Sequence, residues 1–215
     1  MAAGVIALDL RGKAFGATPV LGAIRLEVAQ GERVALTGPS GVGKSTLLRI
    51  LAGLDRDFAG TCARPGRIAM VFQEPTLLPW RDAAANVTIP TGADAATAAR
   101  LLDEVGLAGR GGAYPGQLSL GQQRRLALAR ALAARPDLML LDEPFVSLDP
   151  ALADEMLALT RRLLDAHGAA CVFVTHAERE AEALADRTLR LGGRPARVLD
   201  AVRTSACTST RRNRA

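Results

Sequence analysis

Apolar positions along the chain follow two patterns, the two-residue repeat of strands and the three-to-four-residue repeat of helices. Ile24, Leu26 and Val28 alternate with polar or charged neighbours, which predicts a half-buried strand in an N-terminal third that is mostly strand. Four short apolar runs predict further strands, and continuous runs of this kind are typical of strands covered on both faces. These runs are residues 34–36, 68–72, 138–141 and 171–174.

Helices are predicted between these strands, at residues 45–51, 95–105, 119–135 and 151–166. Gly53 is expected to end the first helix, and Pro136 the third. Four prolines between residues 74 and 117 mark a change of character. We interpret this region as part of a mainly helical subdomain inserted at about residues 74–135. Buried strands that alternate with helices predict an α/β fold with a parallel sheet.

The composition is that of one globular domain. The chain has 215 residues, and 49% of them are hydrophobic, enough for a full core. We expect one domain over residues 1–202 and a disordered basic tail over residues 203–215. No stretch matches the ~20 apolar residues of a membrane span, and residues 1–10 lack the pattern of a secretory signal. The three cysteines have no metal-type spacing, so we expect a reducing, cytoplasmic compartment.

The net charge of +5 is concentrated near the C-terminus. Residues 203–215 contain four arginines and no acid, so the rest of the chain is nearly neutral. This distribution argues against nucleic acid as a partner. Only Lys13 and Lys44 are lysines among the 27 basic residues, mainly because the genome favours arginine codons. Lys44 nevertheless lies in a glycine-rich segment, where its position is not explained by codon usage.

Residues 38–45 match the pattern G-x-x-x-x-G-K-[ST] between a predicted strand and a predicted helix. Glycines let backbone N–H groups turn towards phosphate oxygens, and the helix N-terminus adds positive partial charge. Lys44 is then placed to reach the β- and γ-phosphates, and the Ser45 hydroxyl to bind Mg²⁺. The alternative is a glycine-rich turn before an ordinary helix.

Two acids follow the apolar run at residues 138–141 and lie at the carboxyl end of its predicted strand. Ligands of open α/β sheets bind at this edge. Asp142 is predicted to hold Mg²⁺, and Glu143 to polarise an attacking water. By themselves the two acids would be read as a solvated strand end, but beside a phosphate loop they favour phosphate hydrolysis.

Seven motifs, in order, make the chain resemble the nucleotide-binding subunit of an ATP-binding cassette (ABC) transporter. They are Phe15 (adenine-stacking aromatic), residues 38–46 (Walker A), Gln73 (Q-loop), residues 118–122 (signature), residues 138–143 (Walker B), residues 147–149 (D-loop) and His176 (switch histidine). The resemblance implies an α/β P-loop NTPase fold with a parallel-sheet core, an N-terminal antiparallel β subdomain and an inserted α-helical subdomain. It also implies hydrolysis of ATP with Mg²⁺ as cofactor.

The resemblance gives each matching residue a role. The residues implied in nucleotide binding are Phe15, Gly38, Pro39, Ser40, Gly41, Val42, Gly43, Lys44, Ser45 and Thr46. Those implied in catalysis are Glu143, His176 and Gln73, and those implied in Mg²⁺ binding are Ser45, Gln73 and Asp142. Those implied in contacts with an opposite subunit are Ser119, Leu120, Gly121 and Gln122 of the signature, with Asp149 in the D-loop.

Several of these residues also have a purely structural interpretation. Ser119 and Gln122 have the spacing of a capping box, although a helix start with free N–H groups is an anion site as well. Gln73 could satisfy backbone groups at a strand end, His176 could be a structural histidine, and Phe15 could pack in the core.

Two positions depart from the family pattern. Leu120 stands where the family usually has glycine, and Ala177 stands where it often has aspartate. A leucine side chain could crowd the start of the helix or change the dimer contact, so we expect weakened or retuned turnover. Ala177 should affect the switch region only modestly.

The resemblance also implies partners. Two such chains, identical or related, would pack head to tail around two ATP molecules on the cytoplasmic face of the membrane, and drive separate permease subunits served indirectly by a solute-binding protein. Leu77, Leu78 and Trp80 are the expected permease contact, unless they pack inside the helical subdomain. Residues 72–80 resemble importers of nitrate, sulfonate and taurine, with thiamine-precursor importers nearby. The alternatives are a soluble ABC ATPase acting on nucleic acid or ribosomes, a nucleotide-gated scaffold and a lipoprotein-release role.

Overall fold

The computed structural model describes residues 4–203, so the tail predicted over residues 203–215 lies outside the described residues except for Arg203, which ends the last strand. The strands are β1 (Gly4–Phe15), β2 (Thr18–Leu21), β3 (Ile24–Ala29), β4 (Arg33–Thr37), β5 (Ala59–Ala63), β6 (Ile68–Val71), β7 (Leu138–Asp142), β8 (Ala170–Val174), β9 (Arg187–Gly192) and β10 (Arg197–Arg203). The helices are α1 (Lys44–Ala52), α2 (Ala83–Thr91), α3 (Ala95–Glu104), α4 (Leu120–Ala133), α5 (Pro150–His167) and α6 (Glu178–Leu184), with a 3-10 turn at Pro115–Gln117.

An antiparallel sheet occupies the N-terminal part of the chain. Its order is β2-β1-β3, and β5 pairs with the same long strand β1. Ile6, Leu8 and Leu10 are buried while the residues between them are exposed, so one face of β1 packs on the core. This sheet confirms the antiparallel β subdomain.

A second sheet of six strands has the order β10-β9-β4-β8-β7-β6. The strands from β9 to β6 are parallel to their neighbours, and β10 is antiparallel at the edge. Every residue of β7 and β8 is buried. This is why their apolar runs are continuous and not alternating. The predicted parallel-sheet core is confirmed.

Alternate residues of the central strands belong to two separate hydrophobic clusters. Leu138 and Leu140 of β7 pack in the cluster that contains α1 and the antiparallel sheet. Met139 and Leu141 pack in the other cluster, with helices α2 to α5. The six-stranded sheet is therefore covered on both faces, and its carboxyl edge is left for a site.

Helices α2, α3 and α4 pack on one another within the predicted helical subdomain, and α4 also contacts β6 and α5. Asp82 and Asp94 cap α2 and α3 by accepting hydrogen bonds from backbone N–H groups three residues later. Gly53, in the left-handed conformation, ends α1 as predicted. In the part of the chain that the structure describes, no helix is both long and apolar enough to span a bilayer.

Candidate nucleotide site

The glycine-rich loop joins β4 to α1 through positions where only glycine fits. Gly38 has a φ of 140°, and a Cβ added there would lie 2.4 Å from the Leu191 carbonyl oxygen. Gly43 has a φ of 110°, and its added Cβ would lie 2.6 Å from Leu21 Cδ2. Packing against both sheets therefore requires these glycines, and the loop leads directly into the N-terminus of α1.

Lys44 is buried at the start of α1, with 4% of its surface exposed. Its Nζ donates hydrogen bonds to the carbonyl oxygens of Gly38 and Pro39, each at 2.9 Å. Burial lowers the pKa of Lys44, while the nearby carboxylates of Glu143 and Asp142 act in the opposite direction. A buried cation whose hydrogen-bond partners are neutral carbonyls is well placed to bind an anion entering the loop.

Ser45 and Asp142 meet where the loop crosses the carboxyl end of β7. The Ser45 hydroxyl donates a hydrogen bond of 2.9 Å to Asp142 Oδ1. Burial raises the pKa of Asp142, the Ser45 hydrogen bond opposes this, and the charge of Glu143 adds to it. One hydroxyl beside one carboxylate fits Mg²⁺, which is commonly held by few protein ligands together with phosphates and water. Within residues 4–203 no group of three or more histidines, cysteines and acids could hold a metal alone.

Glu143 and His176 form a second pair at the same edge of the sheet. His176 Nε2 and Glu143 Oε1 are joined by a hydrogen bond of 2.6 Å. Glu143 has a φ of 49°, in the left-handed region that non-glycine residues rarely adopt and that often marks functional sites. Both residues line a cavity of about 170 Å³ together with Thr175 and Glu180. The structure thus joins two predicted catalytic residues that lie far apart in the sequence.

The signature segment begins helix α4 with a complete capping box. Ser119 Oγ accepts from the Gln122 N–H at 3.3 Å, and Gln122 Oε1 accepts from the Ser119 N–H at 3.0 Å. The Leu120 side chain is 45% exposed and leaves this cap intact, so it does not crowd the helix start. Gly121 packs against Leu152 of α5, where an added Cβ would lie 2.9 Å from its Cδ2.

The other predicted residues lie at the ends of elements. Asp149 is the N-cap of α5 and accepts from the Leu152 N–H at 3.0 Å. Gln73 is exposed just after β6. Phe15 ends β1 and is 53% exposed, so it does not pack in the core. Trp80 is 68% exposed, whereas Leu77 packs against the helical core, so the loop is only partly packed inside the helical subdomain and its contact with a permease stays a prediction.

Two buried basic residues that lie near these motifs were not predicted as site residues. Lys13 lies two residues before Phe15, and its Nζ is 4.6 Å from the centre of the Phe15 ring. Arg124 of α4 donates to the Val146 carbonyl oxygen at 2.5 Å, just before the D-loop. The scarcity of lysine was a sequence signal for Lys13. Arg124 had none, because its neighbours in the sequence are also basic or polar.

Comparison with known proteins agrees with this geometry. The family model described as ABC transporter matches residues 21–146, which is more than half of the chain. The chain belongs to the ABC transporter family. It is therefore an ATP-binding and ATP-hydrolysing subunit of that family, as the motifs predicted.

Relatives of this ABC subunit include two curated proteins named for the import of aliphatic sulfonates. The chain is 45% identical over 219 residues to the aliphatic sulfonates import ATP-binding protein SsuB 1 of Xanthomonas axonopodis pv. citri, covering 94% of this chain and 87% of that protein. It is 50% identical over 192 residues to SsuB 3 of Nocardia farcinica, covering 88% and 78%.

A solved ATP-binding cassette has a similar fold. That structure is described as the dimeric post-hydrolysis state bound to ADP and inorganic phosphate. The TM-score is 0.80 at 28% sequence identity, and the alignment covers 93% of this chain and 98% of the other. The predicted α/β P-loop NTPase fold is confirmed for this ABC subunit.

Proposed function

We propose that this chain is the ATPase subunit of an importer of small organic anions, with aliphatic sulfonates as the substrate class. The names of its relatives support this, and so does the resemblance of residues 72–80 to nitrate, sulfonate and taurine importers. The chain would work at the cytoplasmic face of the membrane with separate permease subunits, which a solute-binding protein would supply with solute.

The observation that carries the ATPase assignment is the 2.9 Å contact between Ser45 and Asp142. We infer that these two residues would hold Mg²⁺, which when bound neutralises charge on the phosphates. The loop N–H groups and Lys44 bind the phosphate chain. Glu143 orients the attacking water and accepts its proton, while His176 holds the Glu143 carboxylate and contacts the γ-phosphate. Gln73, exposed two residues after the end of β6, would contribute to holding Mg²⁺ and to orienting the attacking water.

A second copy of the chain, or a related cassette, would complete each site. The N-terminus of α4 would present the N–H groups of Ser119 and Gly121 to the γ-phosphate on the opposite subunit. The dimeric state of the solved relative supports this arrangement. Leu120, exposed at that helix start, would lie in the dimer contact and retune turnover.

The exposed loop around Trp80 is the proposed permease contact. Asn86, which is fully buried, accepts from the Leu78 N–H at 2.7 Å and donates to its carbonyl oxygen at 3.1 Å. Arg130 of α4 donates to the carbonyl oxygens of Pro75 and Thr76. The loop is thus held rigidly on two helices while the Trp80 ring faces outward, as expected for a preorganised partner surface.

The Glu143→Gln variant tests the enzyme assignment. With MgATP and the purified permease, its ATPase rate should fall on the order of 100-fold or more, while ATP binding persists and an ATP-dependent dimer accumulates in size-exclusion chromatography. Glu182→Gln on the exposed side of α6 makes the same change of charge and should keep the wild-type rate. If the wild type shows no turnover with its permease, and Glu143→Gln traps no dimer, a nucleotide-gated scaffold is the better description.

The substrate class is tested by transport into proteoliposomes that contain the permease, the binding protein and this chain. ATP-dependent uptake of ethanesulfonate and of taurine, which are both aliphatic sulfonates, should exceed that of nitrate and a thiamine precursor. Uptake of nitrate or the thiamine precursor in preference to both sulfonates would overturn the sulfonate assignment and leave the ATPase assignment standing.

A further inference from the structure

Lys13 has surroundings unlike those of an ordinary basic residue on a strand. Its side chain is only 2% exposed. Its Nζ contacts three oxygens, namely Asp55 Oδ1 at 3.0 Å, the Asp57 carbonyl oxygen at 2.5 Å and Asp57 Oδ2 at 3.3 Å. Burial by itself lowers the pKa of Lys13, but the hydrogen bonds to Asp55 and Asp57 outweigh it and hold the pKa above its ordinary value. The ammonium therefore stays charged.

This geometry suits an ammonium. An ammonium has three donors in a compact tripod, and here each donor has one acceptor. A planar guanidinium is larger and presents its donors in a fork. The chain has 27 basic residues and only two lysines, one of them in the phosphate loop. The second lysine occupies this site, where three oxygens surround one compact ammonium.

The contacts of the Lys13 ammonium with Asp55 and Asp57 connect two parts of the proposed nucleotide site. Lys13 and Phe15 both belong to β1, whose end carries the exposed aromatic ring. Asp55 and Asp57 follow the C-terminal cap of α1, the helix that begins with Lys44. The ion pairs therefore tie the end of β1 to the helix that carries the phosphate-binding lysine.

The ammonium also acts on the ring itself. Nζ lies 4.6 Å from the centre of the Phe15 ring, within the range of a cation–π contact, and Phe15 keeps about half of its surface exposed. An aromatic face is electronegative, so two stacked faces repel electrostatically. A cation held near the ring draws electron density towards itself and weakens that repulsion for a base stacked on the exposed face.

We propose that Lys13 is a positioning residue for the adenine base of ATP, because it fixes the Phe15 ring and tunes its face for stacking. This inference rests on the proposed function and on the role that the family resemblance implies for Phe15, which is to stack on adenine. It predicts that Lys13 contributes to the part of the affinity that depends on the base and not to the part that depends on the phosphates.

The Lys13→Met variant keeps the length of the side chain and removes its charge. Its affinity is measured for two ligands, ATP, which carries both base and phosphates, and inorganic tripolyphosphate, which carries phosphates alone. Isothermal titration calorimetry with Mg²⁺ present should show an ATP Kd about three- to tenfold weaker than in wild type. The Kd of inorganic tripolyphosphate should be unchanged. Arg25→Gln, which removes an exposed ion pair with Asp9 of β1, should leave both Kd values as they are.

A double-mutant cycle shows whether Lys13 acts through the ring. In Phe15→Ala the added Lys13→Met change should produce no further loss of ATP affinity, because the ring it positions is gone. An equal loss for ATP and tripolyphosphate, an unchanged ATP Kd, or full additivity with Phe15→Ala would each overturn the proposal.

A second variant, Asp55→Asn, and MgATP binding by the wild-type chain complete the test. If Lys13→Met does not fold, Asp55→Asn keeps an acceptor and removes one ion pair, and it should weaken ATP binding selectively in the same cycle. A wild-type chain that binds no MgATP would refute the proposed function itself. Wild-type binding with no selective loss in these variants would refute only the role of Lys13.

Discussion

Asp142 is a charged residue kept in a poorly solvated place, since only 8% of its surface is exposed. Burial raises its pKa above that of a free aspartate. Over the pH range between the unfolded-state pKa and the raised folded-state pKa, the folded protein binds more protons, so the free energy of unfolding falls as the pH rises. At neutral pH the ionised Asp142 therefore destabilises the nucleotide-free protein, and we attribute its presence to function.

The Asp142→Asn variant should separate stability from activity. Without nucleotide at pH 7.5 its melting temperature should rise by about 2–4 °C, which corresponds to about 1 kcal/mol in a chain of this size. The gain should shrink as the pH falls through the raised folded-state pKa of Asp142, because the wild-type carboxyl then becomes protonated and loses its charge. MgATP hydrolysis should fall on the order of 100-fold.

Asp137→Asn is the matched control for that prediction. A hydrogen bond from Arg67 lowers the pKa of Asp137, the opposite direction from Asp142, so this variant should melt at a lower temperature than wild type at pH 7.5. Differential scanning calorimetry measures both variants. A lower melting temperature for Asp142→Asn at neutral pH would contradict the argument.

Among the elements, α4 combines a stabilising cap with the proposed anion site, and two variants distinguish these roles. Ser119→Ala and Asp94→Ala each remove an N-cap side chain, from α4 and α3 respectively, and each should reduce the free energy of unfolding by about 1 kcal/mol. Only Ser119→Ala should also reduce the ATPase rate, by about tenfold. Urea unfolding and a coupled ATPase assay measure the two effects. Equal ATPase rates in the two variants would mean that Ser119 is only a cap.

The elements that the sequence predicted are those with strong periodicity or continuous apolar runs. Strands β4, β7 and β8 and helices α1, α4 and α5 were placed within a few residues of their observed bounds. β5 and β10 were missed because their side chains are small or exposed. Their positions depend on backbone pairing with β1 and β9, which no local pattern reports.

The site was predicted as a set of motifs but not as a set of contacts. The spacing around Lys44 and the position of Asp142 after a buried strand are local features of the sequence, so both parts of the site could be predicted from it. The hydrogen bond between Glu143 and His176 depends on how the sheet brings two loops together, whereas the motifs predict only the order of the two residues along the chain. The contacts of Lys13 with Asp55 and Asp57 depend on how the chain bends after α1, and no sequence pattern predicts that bend.

At the scale of the whole molecule, a chain of packed elements joins the nucleotide site to the proposed permease contact. The sheet edge with Asp142 continues through β6 to Gln73 and then into the Trp80 loop. Helix α4 joins the same parts, because it packs on β6 and α5 and carries Arg130, which holds the loop. A change at the phosphates therefore has a contiguous packed route to the loop.

The Trp80→Ala variant tests this coupling. Because Trp80 is 68% exposed and is not among the proposed nucleotide-site residues, the ATPase rate without the permease should equal that of wild type, and the melting temperature should change by less than about 2 °C. With the permease, the stimulated ATPase rate and ethanesulfonate uptake should both fall about tenfold or more, since a central aromatic in an interface often contributes about 2 kcal/mol. Leu54→Ala, equally exposed but placed after α1, should affect neither measurement. If both variants keep full stimulation, the permease binds elsewhere on the chain, and the rigid loop has a structural role.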